Sequence, residues 1–376
     1  MILKNLSVRN FRNIASADFT FHPKRNLFIG NNAQGKTNLC EAVSVCFGKS
    51  FRTAKPAELV PFSASEGDET TIRLVFSFEE NDREHVLLYK QKKNRFFLTF
   101  NGLEIKKAEE LYGALRYVSF IPEDLNIVKG SPEIRRNYLD FVSNMMNRVH
   151  QTKLYEYQKA LKQKNNLLSG TENFTENTDA MIQSWNETLA RLGVNVMCGR
   201  LKYFRLLNQY ANEYYAQLNQ NGERLSVNYE SSVMKENPYD PEDVFFLLNT
   251  YMNRLSETYE REKRMRYTVV GVHRDDLGFS INGRSAKDYA SQGQVRSIAI
   301  ALKLAEARMI RERSGNTPVI ILDDVLSELD AYRRRFVINH IEQLQTFLTS
   351  CQFDSSEELT DGKIWRVSGG EFTEEK

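Results

Sequence analysis

The chain has 376 residues, 41% hydrophobic and 27% charged, the balance of a globular protein long enough for two to three domains of about 150 residues. Fifty-one basic against forty-nine acidic residues leave a net charge of +2, which excludes a histone-like electrostatic binder and makes any nucleic-acid surface local. Cys40, Cys46, Cys198 and Cys351 stand singly, which argues against a zinc site or disulfide framework; no run is apolar enough for a secretory signal or a membrane-spanning helix, so the expected location is the cytosol.

From Met1 to about Ile121, alternating runs predict strands at 2–8, 18–21, 71–78, 85–89 and 96–100. One helix interrupts them after the buried-looking strand 26–29, beginning beside Lys36 with Leu39, Ala42, Val43 and Cys46 at helical spacing. At Ser131-Pro132-Glu133 a capping serine, a proline in the first turn and an acid start a helix. Ile134, Tyr138, Phe141, Met145 and Val149 share its face, followed by Leu154, Tyr157, Leu161 and Leu168, then a polar break over 169–179. Further helical segments open at Trp185 and after Asp240-Pro241-Glu242-Asp243, and their aromatic stripe reads as packing core. Strands return at 267–272 and 279–281 with an Asn282-Gly283 hairpin turn. A helix over about 292–312, ended by Gly315, precedes the apolar run 319–322, a helix through Phe336 and Ile341, and short strands at Phe347 and 364–367. The order predicts an α/β P-loop NTPase fold whose two ends, 1–128 and 265–376, enclose an inserted α-helical domain at 129–264.

Gly30-Asn31-Asn32-Ala33-Gln34-Gly35-Lys36-Thr37 fits the eight-residue phosphate-binding loop between a strand and a helix. Its glycines let backbone N–H groups fold around phosphate oxygens, the helix N-terminus adds its positive end, Lys36 reaches the β and γ phosphates of ATP, and Thr37 can ligate Mg²⁺. A second element, Val319-Ile320-Ile321-Leu322-Asp323-Asp324, reads as a buried parallel strand delivering two carboxylates at its C-terminal edge. Asp323 is then the Mg²⁺-side acid and Asp324 the candidate to position or deprotonate the attacking water. Ser291-Gln292-Gly293-Gln294 opens the helix ahead of these acids; taken alone, Ser291 and Gly293 form either an anion site or an ordinary cap. Ser327-Glu328-Leu329-Asp330 follows the acid pair and by itself reads as a helix cap and first turn.

In this order the four elements resemble the ATPase head of the ABC superfamily, with its Walker A, signature, Walker B and D-loop motifs. The resemblance implies that Ser291 and Gly293 of one subunit meet the nucleotide held by Gly30 to Thr37 of the other, with Asp330 beside it, in an ATP-dependent homodimer with two composite sites. The separation from Thr37 to Asp323, 286 residues (323 minus 37), exceeds what a transporter nucleotide domain needs and falls far short of the long coiled coils of SMC proteins. Val8-Arg9-Asn10-Phe11-Arg12-Asn13 resembles the first strand and turn of SMC-like heads and implies Arg12 as an extra phosphate contact. Phe120-Ile121-Pro122-Glu123-Asp124-Leu125, Val128-Lys129-Gly130-Ser131-Pro132 with Arg135-Arg136, Gly271-Val272-His273-Arg274-Asp275-Asp276-Leu277, and the run from Asp323 to Asp330 are similar to the RecF family of bacterial recombination mediators.

That similarity implies a slow, DNA-stimulated ATPase, converting ATP to ADP and phosphate, that dimerises on ATP and clamps DNA near single-strand to double-strand junctions. It further implies work with RecR and RecO to load RecA at gaps, in DNA repair, replication restart and the SOS response. Two departures stand out. The second acid is Asp324 where ABC proteins usually carry glutamate, and no switch histidine can be placed: 347–350 stands where its loop is expected, and the tail from Cys351 carries no readable motif.

Local basic clusters could meet DNA phosphates: Lys90, Lys92, Lys93 and Arg95 beside Phe96 and Phe97; Lys106-Lys107; Arg261, Lys263, Arg264 and Arg266; and Arg333-Arg334-Arg335. No base-reading element is recognisable, which favours structure-dependent binding. His273 among acids suggests a nuclease at first sight, yet it lacks the carboxylate set of a two-metal centre, and a salt-bridged turn is the simpler reading. Three rival functions stay open: a P-loop kinase, which has no use for Ser291; the energising ATPase subunit of a membrane transporter; and a switch in which ATP binding alone acts.

Overall fold

The computed structural model describes residues 1–47, 56–61, 68–78, 81–92, 95–105, 111, 115–171, 173–219, 221–234, 240, 242–315, 317–351 and 361–375. Lys93, Lys106, Lys107 and Pro241, named above, lie outside the described residues. In chain order come β1 (Ile2–Phe11), β2 (Ile14–Thr20), β3 (Arg25–Ile29), α1 (Lys36–Cys46), β4 (Thr70–Phe78), β5 (Asn81–Lys92), β6 (Arg95–Phe100), β7 (Leu103–Ile105) and β8 (Tyr117–Phe120). The helical stretch holds α2 (Asn126–Lys129), α3 (Pro132–Met146), α4 (Arg148–Gly170), α5 (Glu176–Leu218), β9 (Leu225–Glu230), α6 (Val244–Glu257) and α7 (Tyr259–Met265). It is followed by β10 (Asp276–Ile281), β11 (Arg284–Ser285), α8 (Ala286–Tyr289), α9 (Gln292–Ser314), β12 (Val319–Asp323), α10 (Ala331–Ile341), β13 (Thr346–Ser350), β14 (Gly362–Ser368) and β15 (Glu371–Glu375).

These elements form two compact units, Met1–Asp124 with Lys303–Lys376, and Leu125–Leu302. The first holds a sheet of order β2-β1-β4-β5-β6-β7 and a second of order β15-β14-β3-β13-β12-β8, with α1 touching strands of both. In the second sheet β14, β3, β13, β12 and β8 run parallel, and β3, β12, β13 and β8 are largely buried, as strands covered on both faces must be. An aromatic cluster ties the sheets together: Phe19 stands 5.0 Å from Trp365 and from Phe372, and Phe21 4.7 Å from Phe347. Buried Gln345 replaces ladder bonds where β1 is bulged, pairing with the Leu3 N–H at 2.7 Å and the Leu3 carbonyl at 2.8 Å.

The second unit packs α3 and α4 against the 43-residue α5, about 65 Å long at helical rise. The helix start at Ser131-Pro132 holds, although the serine side chain makes no capping bond. The break between α4 and α5 is shorter than 169–179, because α4 runs to Gly170 and a Thr175–Thr178 capping box restarts the chain at Glu176. A sheet of order β11-β10-β9 completes the unit, turning tightly at Asn282-Gly283. The pairing of β10 with β9 joins 276–281 to 225–230, so the compact units divide at 124/125 and 302/303, whereas the sequence reading drew its lines at 128/129 and 264/265.

The strand expected at 267–272 is absent. Its N–H groups go to side chains instead of a ladder: Thr268 to Asn165 at 2.8 Å, Val269 to Glu262 at 3.0 Å, Gly271 to Ser232 at 2.9 Å and Val272 to Tyr251 at 3.3 Å. Gly271, at φ +139°, has a backbone that favours glycine.

Candidate active site

The phosphate-binding loop leaves the C-terminal end of β3, between β13 and β14. Its glycines are sterically required at two points. A Cβ on Gly30 would lie 2.2 Å from the Val367 carbonyl, and Gly35 sits at φ +113° with Asn13 2.9 Å from where a Cβ would stand. Ala33 also adopts a left-handed backbone, φ +62°. The loop opens α1, whose first turn holds no acid, so its unpaired N–H groups keep their positive end for an anion. Lys36 is 5% exposed and its ammonium donates to the carbonyls of Gly30 at 2.6 Å and Asn31 at 2.9 Å. Asn31, Asn32 and Ala33 are exposed and Gln34 half-buried along the rim.

β12 delivers the acids. Asp323 is 5% exposed, and its Oδ1 accepts from the Thr37 hydroxyl at 3.0 Å, joining positions 286 residues apart. Asp324 follows at φ +55°, with its N–H bonded to Thr349 Oγ1 at 2.9 Å and its carbonyl accepting from Ser327 at 2.7 Å. Lys36, Thr37, Asp323 and Asp324 therefore converge within one unit.

Other expected residues are engaged elsewhere. The Arg12 guanidinium forms a two-pronged pair with the fully buried Glu41 of α1, Nη2 to Oε1 at 2.9 Å, where a phosphate contact was expected. Asp330 caps α10 by accepting the Arg333 N–H at 2.9 Å. In the second unit Ser291 and Gln294 form a reciprocal capping box: the Ser291 N–H donates to Gln294 Oε1 at 2.8 Å, and the Gln294 N–H to Ser291 Oγ at 3.2 Å. Gln294 Nε2 in turn donates to Glu223 at 2.8 Å, while Gly293 lies in the first turn of α9.

Residues without a readable motif complete the pocket. The Gln34 carbonyl accepts from Asn13 at 3.2 Å and from the Gly370 N–H at 2.9 Å, and the Gly369 N–H donates to Gln34 Oε1 at 2.6 Å. The β14–β15 turn of the tail thus braces the phosphate loop, and the Gly369-Gly370 pair was its one sequence signal. Thr349 bonds both acids, and Cys351 Sγ lies 3.5 Å from the Lys36 ammonium and 3.8 Å from an Asp324 carboxylate oxygen.

The remaining motifs serve the interior of the second unit. Arg135 grips Asp276 at 2.6 and 2.8 Å, and Arg136 donates to the Asp275 carbonyl at 2.8 Å. Arg200, 2% exposed, forms the same two-pronged pair with Asp140 at 2.8 Å and donates to the Val272 carbonyl at 2.7 Å. Burial alone would raise the Asp140 carboxyl, but the charge and hydrogen bonds of Arg200, with those of His150, outweigh it and hold the group below the usual range. His273 accepts from Tyr157 at Nδ1, 2.7 Å, with Nε2 3.2 Å from the Thr268 carbonyl, a structural placement. Among the described residues no helix is long and apolar enough to cross a membrane, and no group of three His, Cys, Asp or Glu is arranged to hold a metal ion.

Comparison with known proteins agrees with this layout. Residues 2–361 match the RecF/RecN/SMC N-terminal domain family. The chain is 35% identical to the DNA replication and repair protein RecF of Clostridium acetobutylicum, over 100% of both chains, and 36% identical to that of Halalkalibacterium halodurans, over 98% of both. The solved structure of the recombination mediator protein RecF-ATP in the RecFOR pathway is similar at TM-score 0.89 and 30% identity, covering 100% of this chain and 98% of that one. The Pyrococcus furiosus Smc head domain shares the fold at TM-score 0.56 and 16% identity, covering 100% and 96%. The chain belongs to the RecF family of DNA replication and repair proteins, with an ATP-binding SMC-like head fold.

Proposed function

We propose that this protein is a slow, DNA-stimulated ATPase that dimerises on ATP and clamps DNA, without sequence specificity, at junctions between single and double strands. The observation that carries the reading is the meeting of Thr37 and Asp323 at 3.0 Å, with Lys36 and Asp324 in the same pocket. Gly30, Asn31, Asn32, Ala33, Gln34 and Gly35 would wrap the phosphates through their N–H groups, with Lys36 neutralising the β and γ oxygens. Mg²⁺ fits the donor set: a hydroxyl and a carboxylate at Thr37 and Asp323 supply hard oxygen ligands, and such sites are completed by substrate phosphates and water. When bound, the ion would neutralise charge developing on the transferred phosphoryl group. Asp324 is the group that orients or deprotonates the attacking water.

In this reading the functional head comprises 1–128 and 265–376, with 129–264 as the helical arm, because the α9 helix start must act with the phosphate loop of a second copy. Ser291 and Gly293 would meet that nucleotide, Ser291 exchanging its bonds to Gln294 for the γ-phosphate. Arg12 would leave Glu41 to join the phosphates, and Asp330 would line the dimer seam. A relative whose solved structure names the RecFOR pathway supports RecR and RecO as partners and RecA loading at gaps as the outcome, in the cytoplasm, within repair, replication restart and the SOS response.

The test is ATP turnover by the full chain with and without a gapped duplex. Asp324→Asn should retain ATP binding and lose about 10²-fold or more in kcat, the size of a general-base contribution. Asp324→Asn turnover equal to wild type would remove that residue from the chemistry, and a wild type that never hydrolyses ATP would refute the enzymatic reading.

A further inference from the structure

We infer that Thr349 is a positioning residue for ATP hydrolysis, its one hydroxyl setting both the Asp323 carboxylate and the Asp324 backbone; the inference rests on the ATPase reading above. Thr349 lies on β13, 3% exposed, on the strand between the one that carries the phosphate loop and the one that carries the acids. Its Oγ1 donates to Asp323 Oδ1 at 2.7 Å and accepts the Asp324 N–H at 2.9 Å. A hydroxyl has one proton and two lone pairs, a carboxylate only accepts and an amide N–H only donates, so both bonds form together and each has a fixed direction.

The parallel ladder between β12 and β13 ends at the Asp323–Thr349 pair, one residue before Asp324. Asp324 then enters the left-handed region at φ +55°, which residues bearing a Cβ disfavour. The Thr349 hydroxyl supplies the bond that the ladder no longer gives, and so holds the turn that aims the Asp324 side chain. At Asp323 the same carboxylate oxygen receives Thr37 at 3.0 Å. Once Thr37 is drawn to a cation, Thr349 is the donor that stays with Oδ1 and keeps the carboxylate facing the loop. A buried threonine on a strand is otherwise an ordinary core residue, which is why the sequence gives it no mark.

Valine matches threonine in shape without the hydroxyl, and serine keeps the hydroxyl without the methyl. The full-length wild type, Thr349→Val and Thr349→Ser would be compared for thermal midpoint, for fluorescent-ATP binding in EDTA and across a Mg²⁺ titration, and for kcat and KM on a gapped duplex. Thr349→Val should melt within a few degrees of wild type and bind nucleotide in EDTA within about twofold, while kcat falls and the Mg²⁺ requirement rises by about tenfold each, the scale of one hydrogen bond to a charged group. Thr349→Ser should stay within about threefold of wild type on both, as the retained hydroxyl requires. Wild-type behaviour in Thr349→Val, an equal loss in Thr349→Ser, or a Thr349→Val chain that does not fold would each overturn the positioning role. A wild type that binds Mg-ATP without turning it over would instead sink the ATPase reading, with Thr349 still judged by the Mg²⁺ dependence of binding.

Discussion

Burial pushes the His273 ring down to about 4, the nearby Arg274 and Arg136 charges add to the effect, and the Thr268 carbonyl works against it. A neutral ring protonated at Nε2 satisfies both of its partners, so the folded protein keeps His273 uncharged while the unfolded chain titrates near the ordinary value of about 6.5. Between those values the unfolded state binds more protons, so the contribution is complete above the unfolded pKa and declines as pH falls, by about 2 kcal/mol from pH 7 to 5. Denaturant titrations at the two pH values should show that loss in wild type and a much smaller one in His273→Gln; equal losses would mean that the ring is not held neutral. The contrast with Lys36, Thr37, Asp323 and Asp324 explains what was legible residue by residue. Those four sit in patterns whose spacing is dictated by phosphate and carboxylate geometry, whereas His273, Thr349 and Cys351 acquire their surroundings only from distant parts of the chain.

Strand pairing selects among the basic clusters. On β5 and β6 the register places Lys90 opposite Phe97 and Lys92 opposite Arg95, so alternation puts all four on one face, with Phe97 53% exposed. Lys90 also meets Glu69 at 3.1 Å. Elsewhere Lys263 is engaged by Glu260 and Asp179, Arg266 donates to the Leu168 carbonyl, and Arg333 pairs with Asp330. The β5–β6 face is therefore where cations and an aromatic stand ready for a nucleic-acid strand. Replacing Lys92 and Arg95 by alanine should weaken binding to a gapped duplex and make the log–log salt dependence shallower by about 1 for each phosphate no longer neutralised. Phe97→Ala should weaken single-stranded more than duplex binding, since stacking contributes about 1–3 kcal/mol per base. Slopes and affinities unchanged in titrations from low to moderate salt would move the DNA to another face. At this scale, periodicity located most strands and helices, but it also suggested 267–272, where side chains capture the backbone, and missed the brace at Gly369-Gly370, two glycines that mean nothing until β14 lies beside the phosphate loop.

The order of motifs along the whole chain made the α/β ATPase head legible, because a phosphate loop near one end and an acid-tipped strand near the other must share one sheet to act together. The position of the unit boundary was not legible, since β9 and β10 find each other across helices α6 and α7 and no local pattern announces that pairing. The proposed clamp depends on two copies meeting at ATP, with Lys36 serving one site and Ser291 the other. Analytical ultracentrifugation of the purified protein with Mg-ATP, with and without a gapped duplex, beside Lys36→Met and Ser291→Arg, addresses that dependence directly. The composite-site account predicts an ATP-dependent dimer that holds the duplex and two variants that remain monomeric. A wild type that stays monomeric with ATP and DNA together would contradict it, return Ser291 to the helix cap it forms with Gln294, and leave a single-subunit ATPase.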